Sequence, residues 1–196
     1  MFRPALPIVA LLLTSTALAC AAFRADDAST APGPARFELG RPATPAHIAR
    51  VDLDVRPDGE GLPDGGGTPD EGRALYEARC RHCHGEDGRG RPFDRLAGRI
   101  DGDAFPFGEN PRTPRTIGSY WPYATTIFDY TRRAMPLEQP GSLTDDEVYA
   151  LTAYLLFLNE LWPADGRLDR ASLPEVVMPA RDRFVPDDRR GGREVR

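Results

Sequence analysis

Two cysteines separated by two residues and followed at once by a histidine, Cys80-Arg81-His82-Cys83-His84, constrain this chain more than any other stretch. Thiols so spaced can bond to the two vinyl groups of one haem while the next imidazole takes the iron. In an exported chain the run therefore reads as a c-type haem attachment site. Two other chemistries use the same cysteine spacing. Zinc wants four Cys or His ligands, and outside the run the chain offers only Cys20 and His47, both far off in extended-looking stretches. A thioredoxin-like site needs a βαβ context, and none flanks these residues. The residues favour one haem c, held covalently through Cys80 and Cys83.

Export is legible at the N-terminus. Residues 1–19 carry Arg3, an apolar run from Leu6 to Leu13, and small residues at Ala17-Leu18-Ala19. That is the build of a secretory signal, too short for a stable membrane span. It places the mature protein in the periplasm. Cys20 follows directly, in the position of the lipid-accepting residue of a bacterial lipoprotein, although Ala17 stands where a leucine is usual. The expectation is a lipid tether through Cys20; the other outcome is ordinary cleavage that leaves a free thiol. The formal charge of −5 becomes −5 − 1 = −6 once Arg3 leaves with the signal, which disfavours nucleic acid as a partner. All 25 basic residues are arginine, so any cationic patch is made of guanidinium groups, which suit carboxylates.

Residues 20–36 hold Phe23 as their one large apolar side chain and read as a disordered tether. In 37–67, Thr44-Pro45 offers a helix cap with Pro at the first position, and Ile48 and Val51 recur at helical spacing. The expectation there is an N-terminal docking extension, with His47 as a surface or packing histidine rather than an iron ligand. A domain over 68–162 opens with a capping box, Thr68 with Glu71, and Pro69 behind it; the helix delivers Cys80. In c-type cytochromes the helix before the attachment run crosses the last helix closely, which calls for a small residue and an aromatic one turn apart, and Gly72 and Tyr76 match that. From Gly85 to Ser119 there is little periodicity, a length that makes sense if haem replaces the missing protein core. A helix is expected to open at Trp121-Pro122-Tyr123 and to end at Met135-Pro136. The final helix has a second box, Thr144 with Glu147, and one apolar face at Val148, Leu151, Leu155 and Leu158, with Pro163 barring continuation. Residues 163–196 read as a C-terminal extension wrapping the domain, disordered from Asp187 on.

His84 supplies the first axial ligand. For the second, Met1 leaves with the signal, so the choice lies between Met135 and Met178, each followed by proline. Met135 lies between two helices, where a small haem domain needs its sulfur; Met178 reads as a core residue. A thioether raises the potential and fills the position that a peroxide would need. The chain is then an electron carrier with no catalytic residues of its own.

Several longer strings carry a resemblance. Thr116-Ile117-Gly118-Ser119-Tyr120-Trp121-Pro122-Tyr123, Arg133-Ala134-Met135-Pro136 and Ser142-Leu143-Thr144-Asp145-Asp146-Glu147-Val148-Tyr149 resemble the cytochrome c subunit of bacterial sulfite dehydrogenase and of the sulfane dehydrogenase of the thiosulfate-oxidising, Sox-type system. Leu39-Gly40-Arg41-Pro42-Ala43-Thr44 and Met178-Pro179-Ala180-Arg181-Asp182 resemble the same family, and the likeness runs from about Phe37 to Pro186. The lipid anchor and the single haem depart from some of its members. The resemblance implies an all-α, class I cytochrome c fold of roughly three to five helices around one covalent haem, with irregular N- and C-terminal extensions. It also implies a molybdopterin, sulfite-oxidase-like catalytic subunit as donor and a downstream cytochrome or oxidase as acceptor. The chain itself shows no ligand set for molybdenum. The alternative is a free-standing shuttle cytochrome, periplasmic or lipid-anchored, which has no need of the two extensions.

Overall fold

The computed structural model describes residues 39–102, 104–185 and 187. The signal 1–19, the tether 20–36 with Cys20, and most of 187–196 lie outside the described residues. The chain divides into Met1–Ala43 and Thr44–Arg196, and every described helix and strand belongs to the second unit.

The two expected capping boxes set the two main helices. Helix α2, Pro69–Arg79, begins where Thr68 Oγ1 accepts the Glu71 amide at 3.4 Å and the Glu71 carboxylate accepts the Thr68 amide at 2.8 Å. Helix α5, Asp145–Leu158, repeats the arrangement with Thr144 and Glu147, and three acids in its first turn complement the positive end of the helix dipole. Each cap contributes about 1 kcal/mol and fixes the residue at which its helix starts.

The two helices cross at Gly72. A Cβ added there would strike the carbonyl of Ala150, so only a bare α-carbon lets the backbones meet this closely. Beside the crossing, the rings of Tyr76 and Tyr154 lie 5.4 Å apart and tilted by 58°. Helix α5 departs from expectation, because every residue from Val148 to Leu156 is buried, not one face alone. A helix apolar all round is one enclosed on all sides. Here α2 and α4 (Ala124–Ala134) pack on it, and the segments before α2 and after α5 cover the rest.

Those segments are part of the core. Val55 and Leu62 on one side, and Leu168, Leu173, Val176 and Met178 on the other, are buried with α5 in one cluster. Gly66–Gly67 (β1) pairs antiparallel with Leu168–Asp169 (β2), and the Tyr149 hydroxyl donates to Pro63 O at 2.8 Å. The boundaries expected at 67/68 and 162/163 are therefore not packing boundaries. In the expected docking extension, residues 39–54, with α1 (Pro45–Val51) among them, include no buried residue; Thr44 caps α1 as expected. The segment after α5 is also more regular than expected, with 3-10 turns at Leu173–Glu175 and Arg181–Arg183.

Helix α4 starts two residues later than the proline suggested. Tyr123 is extended and caps it without a side-chain bond, because Trp121 and Pro122 belong to the wall of a cavity that α4 itself helps to enclose. It ends as expected: Met135 is extended (φ −122°, ψ 150°) ahead of Pro136.

The crossing can be tested by substitution. Gly72→Ala forces α2 away from α5, and overpacking of this kind costs about 2–3 kcal/mol. The denaturant midpoint should fall by that cost divided by the slope, with the slope unchanged; an unmoved midpoint would mean that the crossing has slack.

Candidate functional site

The cysteine run lies at the corner where α2 ends. Cys80 is the last α2 cap, its amide donating to Tyr76 O at 2.8 Å, and the single turn α3, Arg81–His84, follows at once. Cys80 O accepts the amides of Cys83 (3.1 Å) and His84 (2.9 Å), which draws both cysteines and the histidine onto one turn. Gly85, at φ +77°, then turns the chain away. His84 Nδ1 lies 2.9 Å from Asp94 O. A carbonyl only accepts, so the proton sits on Nδ1 and the Nε2 lone pair is left for a metal.

Cys80, Cys83 and His84 line a cavity of about 650 Å³, within the range of about 300–1,000 Å³ usual for small-molecule and cofactor sites. Met135, just beyond α4, lines the same cavity; Ile117, Ile127, Leu151 and Leu155 give it apolar walls, and Arg79, Arg95 and Arg115 also border it. Two thiols, one imidazole with a committed tautomer, one thioether and an apolar enclosure fit a covalent haem. The other candidates lie elsewhere. Met178 is 2% exposed within the core cluster and does not line the cavity. His47 is exposed on α1, its Nδ1 3.5 Å from Arg50 Nη2. Cys20 lies outside the described residues.

A rival metal set exists at the same corner. Ligand atoms of His82, Cys83 and Glu138 lie within 4.8 Å of one another, and His82 Nε2 is 3.6 Å from the Glu138 carboxylate. Zinc would also want a fourth ligand and thiolate sulfur. His82, Cys83 and Glu138 supply only three such atoms; separately, burial, reinforced by the neighbouring Cys83, pushes the Cys80 thiol up to about 11. A reactive Cys-x-x-Cys pair needs a shift the other way.

Two features of the site escaped the sequence reading. Asn159, 1% exposed, makes four bonds: its Oδ1 accepts the amides of Gly98 (2.9 Å) and Gly118 (3.0 Å), and its Nδ2 donates to Leu155 O (2.7 Å) and Leu96 O (3.3 Å). One side chain thus ties both ends of the unperiodic 96–118 loop to the end of α5. Its signal was a lone amide after Leu155-Leu156-Phe157-Leu158, a polar residue in an apolar run. The second is an aromatic group. Tyr120, on the cavity wall, has Phe107 at 4.8 Å and Phe184 at 5.4 Å edge-on, with Arg115 over its ring at 5.2 Å. These residues are too scattered along the chain for any local pattern to show them.

The protein family described as cytochrome c oxidase, cbb3-type, subunit III, matches residues 67–155. The chain is 34% identical over 112 residues to the thiosulfate dehydrogenase of Allochromatium vinosum, a stretch that covers 56% of this chain and 34% of that protein. It therefore spans about a third of the length of that relative. Among solved structures, it is similar to a chain in the crystal structure of the sulfane dehydrogenase SoxCD from Paracoccus pantotrophus. The TM-score is 0.68 at 40% identity, covering 78% of this chain and 73% of that one. A cytochrome c domain carries covalently bound haem c, and the sequence holds a single C-x-x-C-H run for it.

Proposed function

This chain belongs to the Sox-type cytochrome c subunits, and from that premise we propose that it takes single electrons from a molybdopterin catalytic subunit and passes them to a downstream cytochrome or oxidase. At the coarser level it is an electron-transfer cytochrome of a sulfur-oxidising complex. The observation that carries the haem reading is the convergence of Cys80, Cys83, His84 and Met135 on one apolar cavity, and what supports the donor is the likeness to a chain of the sulfane dehydrogenase SoxCD.

In this reading Cys80 and Cys83 would hold the haem by thioether bonds, and His84 Nε2 and the Met135 sulfur would ligate its iron. When bound, the haem supplies a one-electron iron couple. The residues of the chain decide how that couple behaves. The bond to Asp94 O holds the His84 ring in one orientation. Met135, as a ligand, would favour the ferrous state and leave no room at the iron for small substrates. Leu151, Leu155 and Ile127 line the cavity with hydrocarbon and would keep water from the iron. Oxidising sulfite or a bound sulfane sulfur releases two electrons, so a second centre must split the pair, and this chain is not the place of sulfur chemistry. Arg79, Arg95 and Arg115 at the cavity present guanidinium groups to carboxylates of a partner. The leader sequence and Cys20 support a periplasmic protein tethered to the membrane by lipid.

The haem-loaded chain should be reduced rapidly by sulfite or a sulfane-sulfur carrier only when the molybdenum subunit is present, with an association rate that falls as salt is added. Full-rate reduction by an unrelated dehydrogenase, with no gain from the molybdenum subunit, would make it a free-standing shuttle. Met135→Ala should abolish the weak far-red sulfur-to-iron band of the oxidised protein and lower its potential, and Met178→Ala should leave both in place; the reverse pattern would move the ligand. Cys20→Ser should shift the protein from the membrane fraction to the soluble periplasm with its haem intact. Mass spectrometry showing an unmodified Cys20 in the parent would end the tether proposal.

A further inference from the structure

Helix α4 is used on two faces. Thr126, Ile127, Tyr130 and Thr131 line the cavity, and the helix runs out directly into Met135. Thr125, Asp129 and Arg132, spaced by four and then three residues, do not line it. They share another face of the helix and grip the extended segment that leads from α1 into the core. Thr125 Oγ1 donates to Pro57 O at 3.4 Å, Asp129 Oδ1 accepts the Val55 amide at 2.9 Å, and Arg132 Nη1 donates to Leu53 O at 3.3 Å. Leu53, Val55 and Pro57 alternate along the segment, so one edge of its backbone lies along one row of the helix.

Asp129 is the centre of this row. It is 9% exposed, and besides Val55 it holds Arg133, whose Nε lies 2.9 Å from Oδ1 and whose Nη2 reaches the other oxygen. Arg132 is also paired at 3.0 Å with Asp145, the first residue of α5. The two arginines immediately before Ala134 and Met135 are thus committed to fixed partners. Apolar packing also holds α4: Phe128 is fully buried with its ring 4.5 Å from that of Tyr149 on α5, and Pro136 is buried beside Met135. Residues 137–142, beyond Pro136, are all exposed, and α4 has no side-chain cap at its start. The apolar contacts of its cavity face resist its movement but are non-directional, and leave its exact register to be set by other contacts. Hydrogen bonds to a charged group are directional and do not.

We propose that Asp129, supported by Thr125 and Arg132, is a positioning residue for Met135: it locks α4 in register against the 53–57 segment and so sets where the thioether meets the iron. The inference rests on Met135 as the axial ligand, and a thioether bond to iron is weak enough for a small displacement to matter.

The test uses the haem-loaded full chain, with imidazole as a probe that competes for the sixth position. In Asp129→Asn and Asp129→Ala the far-red sulfur-to-iron band should weaken, and imidazole should bind about tenfold more tightly than to the parent, the equivalent of one lost hydrogen bond to a buried charge. Tyr149→Phe is the control. It removes the bond that holds Pro63, in the same segment, to α5 instead of α4. It should lower the denaturation midpoint and leave both the band and the imidazole affinity unmoved. If the Asp129 variants lower the midpoint and no more, Asp129 is a residue of the fold and the proposal is overturned. If neither Asp129 variant folds, Thr125→Val and Arg132→Gln each remove one grip and must tighten imidazole binding; unchanged affinity in both overturns it equally. Met135→Ala run in parallel separates the two readings. If that variant keeps the band, the ligand assignment itself fails; if it loses the band while the Asp129 variants match the parent, only the positioning role fails.

Discussion

The carbonyl of Ala150 fills the space that a side chain at Gly72 would need, and the placement of the haem-binding corner depends on this contact. It fixes how closely α2 approaches α5, and α2 ends at Cys80, so the same contact sets where the cysteine turn stands relative to Leu151 and Leu155 on α5. A larger residue at the crossing would lift the attachment corner away from the opposite wall. The two capping boxes serve the same end from the helix termini, since a helix that frays by a turn at Thr68 or Thr144 no longer presents its crossing residue at the right height.

Between His84 and α4 the chain has no periodic apolar pattern: residues 93–96, Arg115, Ile117 and Tyr120–Pro122 face the cavity, and 97–114 do not line it. What replaces a core there is a small number of directional bonds. Asn159 ties the loop at Leu96, Gly98 and Gly118, and Thr116 Oγ1 donates to Gly98 O at 2.6 Å. On the far side of α5 the balance is reversed. There the segments before α2 and after α5 bring in Leu62, Leu168, Leu173 and Met178, and apolar burial is the main source of cohesion.

Features that depend on neighbours in sequence were readable from the sequence: both capping boxes, the end of α4 at Met135-Pro136, and the short capped α1. Gly72 and Tyr76 were also identifiable, because a close helix crossing leaves a recognisable pair of residue types one turn apart. Features made by contacts across the chain were not. The apolar spacing of α5 suggested one buried face, since nothing local tells that Gly66–Gly67 and Leu168–Asp169 would close over the others. The row at Thr125, Asp129 and Arg132 looked like an ordinary polar face of an amphipathic helix. Only its partners, the backbone groups of Leu53, Val55 and Pro57, distinguish it from a solvated one. Met178 shows the same limit in reverse: it shares with Met135 a proline after it, and the difference between core filler and cavity wall lies in tertiary position.

The enclosure of α5 has a kinetic side. An electron arriving at or leaving an iron changes its charge by one, and dipoles and waters free to turn nearby must rearrange before the transfer can occur. Residues 148–156 of α5 are buried throughout, their backbone dipoles are fixed in the helix, and Leu151 and Leu155 turn hydrocarbon toward the cavity. Such surroundings have little left to reorient when the charge changes. With reorganisation small, the rate of transfer is governed by how near a partner can bring its own redox centre and by the difference in potential between the two.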